Sequence, residues 1–134
     1  MATTLIVDAS IAVKWLLDEE GSENARKAVQ GYDLAAPAFL QLEIFHVVWR
    51  RTRRGEVTSA QLRDALPALT RIIANFEPDG SLVAKAADIA VAHALAIYDC
   101  LYLALALQYE APLITADQKQ FATARRLRIK AETI

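Results

Sequence analysis

The sequence has 134 residues, of which 54% are hydrophobic and 23% are charged, and its net charge is −1. This composition excludes disordered and low-complexity classes, and the length suits a single domain over residues 1–134. The single cysteine, Cys100, excludes an internal disulfide and a cysteine-based zinc cage. A net charge near zero gives no overall basic signature for nucleic acid.

The sequence shows no sign of export or membrane insertion. Its first residues lack a basic segment and a long apolar one, so no secretion signal is expected. The longest apolar stretch, residues 94–107, is shorter than the roughly 20 residues that span a bilayer, and Asp99 interrupts it. We therefore expect a cytoplasmic protein that does not associate with a membrane.

In chain order, the apolar segment at residues 5–7 predicts a buried strand that ends at Asp8, and Ser10 is the expected cap of the next helix. Helical periodicity and capping residues predict helices at 11–17, 19–30, 39–54, 60–75, 81–95, 98–109 and 117–127. Short β-branched or apolar segments predict strands at 34–36, 112–115 and 129–133. Pro67 is expected to kink or divide its helix, and residues 76–79 are expected to form a break.

Short apolar strands that alternate with helices favour an α/β fold with a central, mostly parallel sheet flanked by helices. Parallel strands need long crossover connections, and the predicted helices supply them.

Four acidic residues occupy positions that are unusual for surface residues. Asp8 ends the first strand, Asp117 closely follows the strand at 112–115, Asp99 interrupts an apolar stretch, and Glu43 lies near the apolar face of its helix. Simpler explanations exist for each residue alone. The aspartates would act as helix N-caps, and Glu43 would pair with Arg50 or be exposed.

Taken together, the four carboxylates indicate a metal site. Ligands bind beyond the carboxyl ends of strands in open α/β sheets, where Asp8 and Asp117 lie. Carboxylates that are brought together raise each other's pKa, and a divalent cation removes that conflict. Oxygen ligands without His or Cys favour Mg²⁺ or Mn²⁺. Such a site can activate water for attack on phosphorus, so the residues predict a metal-dependent phosphodiester hydrolase.

Basic residues near these acids are candidate RNA contacts. Helical spacing places Arg50 and Arg54 on the side of the helix that carries Glu43, where they would hold flanking phosphates, and Lys14 would do the same beyond Ser10. The simpler explanation is that they are ordinary solvated side chains. Cys100 is expected to pack in the core. Tyr102 is expected to pack beside Asp99, with stacking on a base as the alternative, and Trp49 is expected in the core or in a dimer interface.

Three blocks of the sequence resemble a known family. They are LIVDASIAVKWLLDEE at residues 5–20, APAFLQLEIFHVVWRR at 36–51 and YDCLYLALALQYEAPLITADQKQFATA at 98–124. In this order and spacing they resemble the PIN-domain ribonucleases, and within them the VapC toxins of bacterial type II toxin–antitoxin pairs. The resemblance covers nearly the whole chain and implies a PIN-like three-layer sandwich.

The resemblance also implies roles for individual residues. Asp8, Glu43, Asp99 and Asp117 match the four acids that bind the metal ion and catalyse the reaction in a PIN domain. Ser10 and Thr115 match hydroxyl positions near the metal, where they would orient carboxylates. Some relatives carry a further acid just after the last motif, whereas this chain has Gln118, Lys119 and Gln120 there.

The implied function is that of a toxin: an endoribonuclease dependent on Mg²⁺, with Mn²⁺ as a possible substitute, that cleaves RNA by water attack and leaves a 5′-phosphate and a 3′-hydroxyl. The implied assembly is a homodimer whose site is blocked by a small antitoxin. Since the antitoxin usually binds the promoter, no sequence-specific DNA binding is expected of this chain alone.

Two other functions remain open from the sequence. One is a non-catalytic PIN-like module that only binds a partner. The other is a metal-dependent phosphatase, a class that also begins with Asp at a strand end but usually has a second Asp two residues later. Ser10 occupies that position here.

Overall fold

Five short strands form one sheet in the computed structural model, which describes residues 2–134. In chain order the strands are β1 (Thr4–Val7), β2 (Asp33–Pro37), β3 (Asn75–Glu77), β4 (Leu113–Thr115) and β5 (Ala131–Thr133). The order across the sheet is β3-β2-β1-β4-β5, and each pair of neighbours is parallel. The expected parallel sheet is therefore confirmed.

Helices supply the crossovers that parallel strands require. Over residues 2–134 there are seven α-helices: α1 (Ala9–Leu16), α2 (Ser22–Ala28), α3 (Phe39–Arg53), α4 (Ser59–Ile72), α5 (Val83–His93), α6 (Ile97–Tyr109) and α7 (Gln118–Arg126). They flank the sheet, which confirms the predicted α/β fold with a central sheet and surrounding helices.

The core is built around β1 and α6. Leu5, Ile6 and Val7 of β1 are completely buried, and seven consecutive residues of α6, from Cys100 to Ala106, are buried as well. A helix that is apolar all round can be stable only inside the protein. α6 accordingly packs against β1, β2 and β4, and the expected core position of Cys100 is confirmed.

Two local predictions were wrong, and a third, for Pro67, is contradicted only in that the helix is not divided. Residues 75–77 form β3 instead of a helix end and a break, and the amide of Ala38 donates to the carbonyl of Glu77 at 2.8 Å beside it. β3 is a half-exposed edge strand of three residues, too short to show a pattern. The helix expected at 19–30 is limited to α2, and α4 continues through Pro67 undivided.

Among residues 2–134, no single helix is long and apolar enough to cross a membrane. α5 and α6 pass that test only as a pair, and the angle between them is 114°. The buried residues of α6 already pack inside the domain, which explains its apolar composition.

A capping box fixes the start of α4. The Thr58 hydroxyl accepts from the amide of Gln61 at 3.1 Å, and the Gln61 side chain accepts from the amide of Thr58 at 2.8 Å. Two amide groups that have no partner within the helix are thereby satisfied.

Replacing Thr58 with alanine is expected to lower the free energy of unfolding by about 1 kcal/mol, because an N-cap hydrogen bond is lost. Urea denaturation measures this change. Ser59→Ala, one residue further on, is the matched control, since its hydroxyl makes no hydrogen bond within residues 2–134. Equal losses in both variants would show that the box contributes nothing.

Candidate metal and RNA site

The sheet has one point where the direction of winding changes. From β1 the chain adds β2 and β3 on one side, while β4 and β5 lie on the other, so β1 and β4 are neighbours at the switch. Open α/β sheets bind ligands in the crevice at the carboxyl ends of such strands. Asp8 directly follows β1, and Asp117 lies two residues after β4, so both carboxylates lie at this crevice.

Asp8 is buried and held by two hydroxyl groups. It is 6% exposed, and its carboxylate accepts from the Ser10 hydroxyl at 2.5 Å and from the Thr115 hydroxyl. The same carboxylate accepts from the Ser10 amide and so caps α1. The expectation that Ser10 caps this helix was therefore wrong. Ser10 and Thr115 instead lie where they can orient the carboxylate of Asp8.

Glu43 comes to the crevice from the first part of α3 and is held by Tyr102. The Tyr102 hydroxyl, buried on α6, donates to Glu43 Oε1 at 2.6 Å. No ion pair joins Glu43 to Arg50 in the part of the chain that the structure describes. From the sequence, Tyr102 is expected to pack beside Asp99, and its hydrogen bond to Glu43 is not predicted. Its position three residues after Asp99, on the same side of one helix, was the available signal.

Asp99 and Asp117 are linked through Gln120. Asp99 lies inside α6 and does not cap it, which removes the simplest alternative for this residue. Asp117 caps α7 by accepting from the amide of Gln120 at 3.0 Å. The side chain of the buried Gln120 donates to the carbonyl of Asp99 at 2.9 Å. One residue thus connects the beginnings of both helices that carry these acids.

The carboxylates influence one another's ionisation. Burial raises the pKa of Asp8 to about 6, with a smaller contribution from Asp117. Burial, together with the charges of Asp99 and Asp8, raises the pKa of Glu43 to about 7. The pKa of Asp99 is raised by burial and by Asp117. The four predicted acids therefore share one region of negative charge.

The chemistry of these donors fits a hard divalent cation. Carboxylate oxygens are the ligands that Mg²⁺ and Mn²⁺ prefer, and a positive charge would relieve the repulsion that raises the pKa values. Within residues 2–134, however, no three Asp, Glu, His or Cys side chains converge closely enough to hold an ion as they stand. Binding of one ion by three or more of these side chains would therefore require the carboxylates to draw together, whereas one or two carboxylates and water molecules are sufficient ligands for Mg²⁺.

The three predicted RNA contacts differ in their surroundings. Lys14 is engaged, since its ammonium group donates to Glu19 at 3.3 Å and to the carbonyl of Glu20 at 2.8 Å. Arg50 is exposed and lines a groove that also contains Glu43. Arg54 is exposed at the end of α3, where its guanidinium lies 3.9 Å from the exposed carboxylate of Glu56. The two arginines are accessible to a polyanion, and the role of all three residues stays a prediction.

Without metal, the protein is expected to lose stability as pH rises. The folded-state pKa values of Asp8 and Glu43, about 6 and about 7, exceed their ordinary values of 3.8 and 4.5. Between about pH 4 and 7 the folded state therefore binds more protons than the unfolded state, and the free energy of unfolding falls across that window. Thermal melting in EDTA checks this. The Asp8→Asn/Glu43→Gln variant should show a flatter profile, and parallel profiles would contradict the assignment.

The chain is similar to known proteins over most of its length. The PIN domain family model matches residues 5–127. Ribonuclease VapC3 of Pyrobaculum aerophilum is 28% identical over 118 residues, which cover 86% of this chain and 90% of that protein. Ribonuclease VapC1 of Mycobacterium tuberculosis is 30% identical over 115 residues, which cover 85% and 86%.

Solved structures share the fold. A crystal structure of a Pyrobaculum aerophilum protein superposes with a TM-score of 0.75 at 22% identity and covers 99% of this chain and 92% of that one. VapBC2 of Rickettsia felis, solved with a DNA fragment from its promoter, gives 0.70 at 14% identity, with 98% and 99% covered. The match to the family model extends over the carboxylate crevice and nearly the whole sheet, so the chain belongs to the PIN-domain family, and within it to the VapC group.

Proposed function

We propose that this protein is a divalent-metal-dependent endoribonuclease and the toxin of a type II toxin–antitoxin pair. One observation supports the proposal above all: Asp8, Glu43, Asp99 and Asp117 share a region of negative charge at the switch point of the sheet. The relatives that carry the name ribonuclease VapC match the chain over most of its length.

In the proposed reaction the four carboxylates would hold Mg²⁺ or Mn²⁺, which would supply charge neutralisation and activation of water for attack on the RNA phosphodiester. The rest of the work belongs to the protein. Ser10 and Thr115 fix the orientation of Asp8. Tyr102 fixes Glu43 by its hydrogen bond of 2.6 Å. Such supporting hydrogen bonds keep ligand oxygens aimed at one point.

The proposed partners are RNA and an antitoxin protein. The Rickettsia felis neighbour is a VapBC complex bound to promoter DNA, so an antitoxin partner is a reasonable extension from that protein to this one. In this assignment the antitoxin contacts the promoter, and this chain alone does not recognise a DNA sequence.

We also propose a homodimer located in the cytoplasm. Val91, Ile97 and Val83 expose 88%, 49% and 46% of their surfaces. Apolar side chains exposed at this level are often covered in an assembly. A cytoplasmic location would place the enzyme with its RNA substrate, and the single free cysteine is compatible with a reducing compartment.

RNA cleavage that requires both a metal ion and Asp99 is the expected result for the purified protein. Total cellular RNA is incubated with Mg²⁺ or with EDTA, and fragments are resolved by electrophoresis. Asp99→Ala should lower the rate by orders of magnitude, because a carboxylate ligand is removed. The control is Asp88→Ala, an exposed acid on α5. Cleavage that persists in EDTA or in Asp99→Ala would overturn the site, and a folded protein without any cleavage would favour the partner-binding module.

Removing the Tyr102 hydroxyl is expected to weaken metal binding. Tyr102→Phe leaves Glu43 without its donor, and losses of this kind weaken metal affinity by about tenfold or more. Calorimetric titration with Mn²⁺ measures the change. Tyr109→Phe is the matched control, since Tyr109 lies on the same helix as Tyr102 but its hydroxyl bonds to Glu77 and Asn75 of β3. Equal Mn²⁺ affinity in both variants would reduce Tyr102 to a packing role.

A further inference from the structure

The exposed side of α3 leads away from the carboxylates. Leu40, Ile44 and Val48 form its buried side, so the residues between them point elsewhere. An open groove of about 600 Å³ begins at Glu43 and extends to Arg50. Its remaining lining is Phe39, Leu42, His46, Val47 and Tyr98.

A second concavity continues from this groove. It is lined by Arg50, Arg53 and Arg54, so Arg50 belongs to both. From Glu43 to Arg50 the helix rises about 10 Å, at 1.5 Å per residue. If the reacting phosphate of an RNA strand lies at the carboxylates, the neighbouring phosphates of that RNA would therefore lie along the arginines.

Trp49, on α3, is the more exposed of the two tryptophans, since Trp15 is partly buried. Trp49 is 42% exposed, whereas the sequence predicts it in the core or in a dimer interface. The His46 ring stacks on it with 5.8 Å between centroids and 24° between planes. The guanidinium carbon of Arg53 lies 5.3 Å from the centre of the indole. The exposed position contradicts the expectation of core packing for Trp49.

The charge on this face favours a polyanion. Within residues 2–134, neither Arg50 nor Arg53 has an acidic group within 4.0 Å. Arg51, by contrast, is bound to Glu19 at 2.6 Å on another side of the helix. An apolar protein segment on this face would leave the charges of these arginines without partners. Phosphates compensate them, and arginine binds phosphate through paired hydrogen bonds.

From this arrangement we infer that the exposed face of α3 holds the single-stranded RNA substrate by stacking one nucleobase on Trp49 while Arg50 and Arg53 contact the flanking phosphates. The inference rests on the ribonuclease function proposed above and adds the part of the enzyme that holds the strand. Proteins that bind single strands commonly combine an aromatic platform with a basic groove.

The contacts on the Trp49 ring can be exchanged for RNA, because the two residues that make them, His46 and Arg53, are exposed. A nucleobase takes the place of the Arg53 guanidinium against the indole, and the displaced guanidinium moves to a phosphate. The arginine therefore has an electrostatic partner in both states, first the ring of Trp49 and then the RNA. Any base can stack in this way, so the contact fixes the position of the strand and not its sequence.

Tryptophan fluorescence tests the stacking directly. The chain has two tryptophans, and Trp15 is partly buried with its indole N–H bonded to the carbonyl of Ala25. Trp15→Phe leaves Trp49 as the reporter, and Trp49→Phe leaves Trp15. A single-stranded oligoribonucleotide, added in EDTA to prevent cleavage, should quench the emission of Trp15→Phe and leave that of Trp49→Phe unchanged.

Fluorescence anisotropy with the same labelled oligoribonucleotide measures affinity. Trp49→Ala should weaken binding by about tenfold, within the range for loss of one stacked base. Arg50→Ala should weaken it and lower the slope of log affinity against log salt by about 0.7, the value for one phosphate contact on a single strand. Arg26→Ala on α2 is the control of equal charge and should change neither quantity.

The two proposals can fail separately. RNA that binds with these Trp49 effects but is never cut would support the inference and overturn the ribonuclease function. RNA that is cut, while Trp49 is neither quenched nor needed for binding, would overturn the inference and leave this face of α3 to a protein partner.

Discussion

The buried carboxylate of Asp8 is the point on which the arrangement of the site depends. Removing a carboxylate from water is costly unless hydrogen bonds or a cation compensate it. Part of that compensation comes from Thr115, which is 107 residues away in the sequence and reaches Asp8 only because β4 pairs with β1. The parallel pairing at the centre of the sheet is therefore needed by the site as much as by the core.

The helix α6 serves the core and the site at once. Its buried residues pack against three strands, and the same helix presents Asp99 and the Tyr102 hydroxyl to the crevice. Because protein interiors are close-packed, a change of side-chain volume in α6 shifts its neighbours. Stability and the geometry of the carboxylates are thus coupled through one element, and a substitution there would be expected to alter both.

Most of the fold and the four acids could be predicted from the sequence because they have local signals. The apolar strand before Asp8 and the apolar helix around Asp99 are patterns that short windows show. β3 has no such signal, since its three residues are too few to show a pattern and the strand forms at the edge of the sheet by pairing with β2. The bond from Tyr102 to Glu43 joins residues 59 positions apart, and the exposure of Trp49 depends on which side of α3 is covered. These features follow from tertiary packing alone.

The hydrogen bonds of the Ser10 and Thr115 hydroxyls run in one direction, towards Asp8. Each has one proton, and both protons go to Asp8, so their oxygens are free to accept from the amides of Ala116 and Asp117 at 2.8 Å and 3.0 Å. The result is two chains of hydrogen bonds, each of which runs from a backbone amide after β4 through a hydroxyl to the carboxylate of Asp8. Linked hydrogen bonds of this kind strengthen one another. The turn that positions Asp117 is thereby sensitive to the charge on Asp8, so one carboxylate of the quartet can influence the placement of another without touching it.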